Sequence, residues 1–315
     1  MDSIICTLFE GHYHYGVAAL TNSLYEQGFR GAIYVGYRGA LPPWAAGATT
    51  DPTVDWKGCL SMTVTEGLTL HFLPVDTSFH LTNYKPDFML SLWNGPAKNA
   101  DALAYFDPDI VIKCKWDFFE TWMTHGVALV HEIVSNDMPA THPIRQEWMK
   151  VIEKAEMKTV RNIHSYINGG FCGVIRENTE FLETWSKIIH TAVKYYNQDP
   201  STFASFDRTS PFWNVDQDAF NIAAMCCESP ISEMGSEGMD FINAGWTMSH
   251  ATGSPKPWKK NFCKMALDGK PPTLAEKGFW LHATTPIPTF SNSYIRYKTF
   301  CISIASFVGR FYRRY

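Results

Sequence analysis

The stretch Ala104-Tyr105-Phe106-Asp107-Pro108-Asp109-Ile110-Val111-Ile112 decides how the chain is read. An apolar run ends in two carboxylates one residue apart, and a second short apolar run follows. Pro108 forces a turn between the carboxylates, and a turn brings both to one point. Two hard oxygen ligands placed so suit Mg²⁺ or Mn²⁺, and such a cation holds a diphosphate. The plainer alternative is an Asp-Pro-Asp turn in solvent, since Asp-x-Asp is a common pattern.

Upstream, Ser3 to Phe9 reads as a buried strand, Glu10 to His14 as a loop, and Tyr15 to Gln27 as a helix with Val17, Leu20 and Leu24 on its core side. Gly28 ends that helix, and Ala32 to Gly36 is a second strand. This order predicts an α/β fold, whose ligands gather beyond the carboxyl ends of parallel strands. Tyr13 lies in the first such loop, either as a ring for a nucleotide base or as packing at the domain edge. Leu68 to Val75 is a further strand. Lys85 stands before a helix from Asp87 to Trp93, near an N-terminus that welcomes phosphate, or is an ordinary solvated lysine.

Downstream, Trp116 to Gly126 reads as a helix, Val127 to Val130 as a strand and His131 to Arg145 as an irregular segment, with a helix beginning at Glu147. Tyr166 to Ile175 is a strand opened by Gly169-Gly170, where Asn168 either meets a sugar hydroxyl or sits in a bulge. Glu180 to Tyr196 is a packing helix. Asp216, Gln217 and Asp218 start another, as capping residues or aimed at a reacting carbon. Met239 to Ile242 reads as a short strand. His250, Gly253 and Lys256 follow, a combination able to ligate a metal and neutralise a diphosphate. His282, after an expected strand Gly278 to Leu281, competes for the ligand role.

The 315 residues are 45% apolar and 18% charged, as a globular chain is, and 15% aromatic with 11 Trp. The net charge of −4 argues against a general nucleic-acid binder. It is unevenly spread: Arg296, Lys298, Arg310, Arg313 and Arg314 follow Phe290 with no acid, so the overall −4 less these five charges leaves −9 on the rest. Eight cysteines without Cys-x-x-Cys spacing, no signal peptide, and no apolar run of spanning length point to a reducing, cytoplasmic setting.

In motif order the chain resembles glycosyltransferase family 8, the glycogenin and bacterial galactosyltransferase family. The matching elements are Thr7, Tyr13 and Ser23-Leu24; Tyr105-Phe106-Asp107-Pro108-Asp109; Ile167-Asn168-Gly169-Gly170; Asp216-Gln217-Asp218-Ala219-Phe220-Asn221; and His250-x-x-Gly253-x-x-Lys256-Pro257-Trp258. The resemblance covers roughly residues 3 to 260. It implies a GT-A fold, a Rossmann-like and mostly parallel sheet flanked by helices, over residues 1–290. It implies Mn²⁺ or Mg²⁺ on Asp107, Asp109 and His250, and donor contacts from Thr7, Tyr13, Lys85, Asn168, Gly253 and Lys256. Gln217 would lie beneath the anomeric carbon, with Asp216 and Asp218 beside it. The implied reaction is transfer from a nucleotide-sugar, mostly a UDP-sugar, to a glycan or lipid-linked acceptor with retention. A non-catalytic nucleotide-sugar or glycan-binding protein is the main alternative. A sugar nucleotidyltransferase is a lesser one, since residues 10–14 lack a Gly-rich phosphate loop.

Residues 291–315 form a basic, aromatic helical tail with Tyr297, Cys301, Ile304, Val308 and Phe311 on one face. Such a helix either lies on the anionic inner face of a membrane or docks on the catalytic domain.

Overall fold

The structure, a computed structural model, describes residues 1–132, 137–205, 207–242 and 245–311. Part of the expected irregular segment (residues 133–136) and Arg313 and Arg314 of the tail lie outside the described residues.

In chain order the strands are β1 (Ser3–Glu10), β2 (Gly31–Arg38), β3 (Thr49–Thr50), β4 (Leu60–Thr65), β5 (Leu68–Pro74), β6 (Ala102–Phe106), β7 (Ile110–Ile112), β8 (Val127–Val130), β9 (Phe171–Ile175), β10 (Ile231–Met234) and β11 (Met248–His250). The helices are α1 (His14–Glu26), α2 (Lys85–Asn94), α3 (Trp116–Thr124), α4 (Pro143–Lys154), α5 (Thr179–Tyr196), α6 (Val215–Cys226), α7 (Phe262–Leu267), α8 (Leu274–Leu281) and α9 (Asn292–Val308).

Among the described residues the main sheet has nine strands in the order β10-β8-β9-β6-β1-β2-β5-β4-β3. Following the pairings across it, β4 and β9 run against the other seven. The expected mostly parallel α/β sheet is therefore present. Central strand β1 is buried along nearly its whole length, as a strand covered by helices on both faces must be. Its alternate residues feed two cores: Ile4, Cys6 and Leu8 pack on the side of α2, α4, α5 and α6, while Ile5 and Phe9 pack on the side of α1 and α3.

The chain leaves β1, forms α1 and returns as β2 on one side, while β6 pairs on the other. Crossovers diverge at this point, so a crevice opens beyond the carboxyl ends of β1 and β6. The Asp107-Pro108-Asp109 turn begins there. It is pressed against α1 at Gly16, where a Cβ would lie 2.1 Å from the Pro108 carbonyl oxygen. Any side chain at Gly16 displaces the turn.

Four expectations fail on local structure. The strand expected from Tyr166 starts only at Phe171, after a turn at Gly169-Gly170. Gly278 to Leu281 is the end of helix α8, not a strand; Thr273 and Glu276 form a reciprocal cap at its start. Residues 239–242 are not a strand either: a 3-10 turn spans Ser236–Met239. The segment expected to be irregular up to Arg145 ends earlier, because α4 starts at Pro143, a residue suited to a first helical turn.

Helix α9 docks on the body through Ile295, Ile302 and Ala305, within a cluster that includes Phe262 of α7 and Phe279 and Trp280 of α8. Of the face read from spacing, Cys301 is buried and Val308 half-buried, but Tyr297, Ile304 and Phe311 point outward, joined by Phe300 and Phe307. No helix among the described residues is long and apolar enough to cross a membrane.

Candidate active site

A second, two-stranded ribbon assembles the site. Strand β11 pairs antiparallel with β7, setting His250 opposite Ile110, and the Ala251 N–H donates to the Asp109 carbonyl at 3.0 Å. An imidazole far along the chain is thereby held beside the Asp turn. The Nε2 of His250 lies 3.3 Å from Asp109 and 3.8 Å from Asp107. One ligand atom from each of these three residues falls within 4.8 Å of the other two. Two carboxylates and an imidazole form a donor set that suits Mn²⁺ or Mg²⁺. The ring is accommodated because residue 170 is glycine: a Cβ there would lie 2.5 Å from His250 Cε1. The residues present fit a divalent cation. His282, the competing ligand, instead caps α8 and pairs with Glu26 at 3.1 Å.

Gly170→Ala is expected to push the imidazole off the carboxylates. Affinity for Mn²⁺ should drop by roughly tenfold or more, as it does when the groups that orient a ligand are lost. Titration calorimetry with Mn²⁺ checks this, and wild-type affinity in the variant would show that the ring has room to move.

Lys256 reaches the same point from the loop after β11. Its Nζ donates to Asp109 at 2.5 Å and to the Ala251 carbonyl at 2.8 Å. Burial pushes the Asp109 carboxyl up, but His250 and Lys256 pull harder and hold it far below the usual carboxylate range. Asp109 is therefore an anion at any physiological pH.

A second ion cluster lies behind the first. Lys85 is only 2% exposed, which removes the solvated-lysine alternative. Its ammonium donates to the Gly169 carbonyl at 2.8 Å and to Asp216 at 2.9 Å, and lies 3.1 Å from Asp107. Asp107 also accepts from the Tyr105 hydroxyl at 2.9 Å. Lys85 thus ties the start of the Asp turn to the start of α6. Burial raises the Asp216 carboxyl to about 7 against the pull of Lys85, and its Oδ1 is buried with no partner among the described residues.

Gln217 follows, with its carboxamide fixed: Oε1 accepts from the Gly169 N–H at 3.0 Å and Nε2 faces Glu132 at 3.5 Å. Glu132 also accepts from Asn168 Nδ2 at 2.6 Å, while Asn168 Oδ1 accepts from the Gly170 N–H. Asp218 accepts with its two oxygens from the Tyr166 hydroxyl and the Asn214 N–H, each at 2.8 Å, and burial raises its carboxyl to about 7. It braces the start of α6.

These groups line one cleft of about 980 Å³, together with Tyr13, Glu132 and Asn168. Tyr13 is stacked on His12 with ring centroids 4.9 Å apart, and the Trp258 ring meets its edge. Two expected donor contacts are absent from the cleft lining. Thr7 is fully buried in β1, its hydroxyl without a partner among the described residues, and Gly253 lies in the loop between the lining residues Thr252 and Ser254. Glu132 is the residue that sequence reading missed; its one signal was its place just past the apolar run of β8.

No protein-family model matches the chain, and no curated protein matches it in sequence. Solved structures do match in fold. The chain is similar to the bifunctional glycosyltransferase WbbM (TM-score 0.53, 13% identity), covering 93% of this chain and 51% of that one. It is similar to the glycosyltransferase GlyE of Streptococcus pneumoniae TIGR4 (TM-score 0.52, 12% identity), covering 96% and 64%. It is also similar to an active-site mutant of LgtC (TM-score 0.50, 13% identity), covering 94% and 99%. The chain therefore spans about half of the first of these proteins and just under two thirds of the second. Its fold is that of solved glycosyltransferases.

Proposed function

We propose that the protein is a cation-dependent glycosyltransferase that moves a sugar from a nucleotide-sugar, with a UDP-sugar as the leading candidate, to a glycan or lipid-linked acceptor with retention. One observation carries this reading: Asp107, Asp109 and His250 converge in the same cleft as Asp216 and Gln217, on a fold shared with glycosyltransferases. The motif order that resembles family 8 agrees with it.

Each residue then has a task. Asp107, Asp109 and His250 hold the cation, Mn²⁺ or Mg²⁺, which when bound neutralises charge on the leaving diphosphate. Lys256 supplies a further positive charge to that diphosphate. Tyr13 offers ring surface to the base. The unpartnered Oδ1 of Asp216 takes a donor-sugar hydroxyl. The bond from the anomeric carbon to the phosphate oxygen breaks, the acceptor oxygen bonds to that carbon, and the acceptor proton passes to the departing phosphate oxygen. Gln217, fixed by Gly169 and Glu132, presents its amide to the cationic carbon, where carboxylates and amides stabilise developing charge. The outward aromatic face of α9, with the exposed Arg296 and Arg310, suits an anionic inner membrane surface, with the body in the cytoplasm.

Thermal melting against a panel of nucleotide-sugars, with and without Mn²⁺, tests the reading. A donor at about 100 times its dissociation constant adds ~2.7 kcal/mol of stability, and that stabilisation is expected only when Mn²⁺ is present. Slow cation-dependent donor hydrolysis separates an enzyme from a binding protein. Absence of any shift with any nucleotide-sugar refutes the proposal.

A further inference from the structure

The cleft lining carries, at Arg208, a cation with no ionic partner among the described residues. Residues 199–205 and 207–214 lead into α6, and Trp213 stands four residues ahead of Gln217. Its position is fixed at both ends of the segment. Asn83, fully buried, donates from Nδ2 to the carbonyls of Pro200 and Thr202, both at 2.9 Å. The Ser205 N–H donates to the Trp213 carbonyl at 2.7 Å. On this platform lies Arg208, with its guanidinium carbon 3.7 Å from the centroid of the indole. Both residues line the cleft.

Among the described residues Arg208 pairs with no carboxylate. The adjacent Asp207 spends its Oδ1 on the N–H and hydroxyl of Thr209. A guanidinium stacked on an aromatic ring keeps its in-plane N–H fork open, and that fork matches a carboxylate or phosphate. The rest of the half-buried indole, which also lines the cleft, offers apolar surface to a sugar ring. Arg208 places a permanent cation in the lining of this cleft.

We propose that the acceptor is an acidic sugar, bearing a carboxylate or a phosphate ester, whose anion is taken by Arg208 while its ring meets Trp213. The inference rests on the transferase reading, because it assigns the second substrate of that same cleft. It makes Arg208 and Trp213 specificity determinants for the acceptor.

Calorimetric titration of the full chain tests it in two stages. UDP is titrated first in the presence of Mn²⁺. The UDP–Mn²⁺ complex then receives methyl glucuronide, a hexose 6-phosphate or neutral methyl glucoside. At least one acidic sugar is expected to bind about tenfold more tightly than the neutral one, a preference that weakens with salt. The stronger of the two acidic ligands identifies the anion as carboxylate or phosphate. In Arg208→Gln the preference is expected to disappear, and in Arg208→Lys to return only in part, because a lysine keeps the charge without the fork. Arg208 is exposed, and the melting temperature of each variant reports its folding. Equal binding of acidic and neutral sugars, failure of both acidic sugars to bind, or a preference that survives Arg208→Gln overturns the proposal alone. If UDP fails to bind, the other nucleoside diphosphates replace it in the first stage, and failure of all of them overturns the transferase reading and this inference with it.

Discussion

Asp109→Asn is expected to lower affinity for Mn²⁺ by roughly 100-fold or more, since losing groups that only orient a ligand already costs about 10–100-fold. The variant keeps the shape of the side chain and removes its charge. In the wild type that carboxylate faces the His250 imidazole at 3.3 Å and the Lys256 ammonium at 2.5 Å, one at the end of β11 and the other in the loop after it. A divalent cation must compete with Lys256 for Asp109. A nucleotide diphosphate draws the ammonium towards its own oxygens and relieves that competition. Cation and nucleotide should therefore bind cooperatively, by linkage that works equally in both directions. Lys256→Met carries the complementary expectation: tighter Mn²⁺ in the absence of nucleotide, weaker UDP in the presence of Mn²⁺. Asp109→Asn loses the cation in either condition. Calorimetry with Mn²⁺ alone, UDP alone and both together measures all of these terms. Wild-type Mn²⁺ affinity in Asp109→Asn would remove Asp109 from the ligand set.

Much of this geometry is visible in the sequence, and the part that is not has a common physical origin. The β1-α1-β2 opening is legible because its apolar periodicity is local and Gly28 terminates the helix with a φ of +92°. The Asp107-Pro108-Asp109 turn is legible because proline dictates the bend. His250 is harder. Its neighbour Ile110 is set by the β7–β11 pairing, and nothing near residue 250 announces that register. The burial of Lys85 is harder still, because its two carboxylate partners come from the end of β6 and the start of α6. The sequence around Lys85 shows only a lysine before Pro86 at a helix start. Glu132 is hidden for the same reason, since its partners Asn168 and Gln217 lie on other elements. The α8 error differs: the aromatic run Phe279-Trp280-Leu281 looks like a strand, yet Thr273 and Glu276 at capping-box spacing were a local signal for a helix.

Lys85→Met is expected to destabilise the fold by roughly 3–5 kcal/mol at pH 8, the cost of leaving a buried charge without its counter-ion. In the wild type, burial alone disfavours the ammonium, but Asp107 and Asp216 outweigh that and hold it above the ordinary lysine value. Of the two carboxylates, Asp107 remains partly open to solvent, whereas Asp216 is almost fully enclosed. The penalty therefore falls mainly on Asp216. Its carboxyl already titrates at about 7 with Lys85 present, and removing a neighbouring cation raises it further. A carboxyl whose folded value lies above its unfolded value of about 3.9 favours the folded state most at low pH. That contribution is lost as pH rises through the folded value. The deficit of Lys85→Met should accordingly be smaller at pH 5, where Asp216 is protonated, than at pH 8, where it is forced to ionise or unfold. Adding Asp216→Asn to Lys85→Met should restore much of the stability at pH 8 and little at pH 5, because the amide mimics the protonated acid. Urea denaturation of the wild type, both single variants and the double variant at the two pH values closes the cycle. An equal deficit at both pH values, or no recovery from Asp216→Asn, would mean that Lys85 neutralises some other group. A pH-dependent deficit with recovery would place the ammonium as the pin that lets a metal-binding turn and the first turn of α6 share one buried cluster of charge.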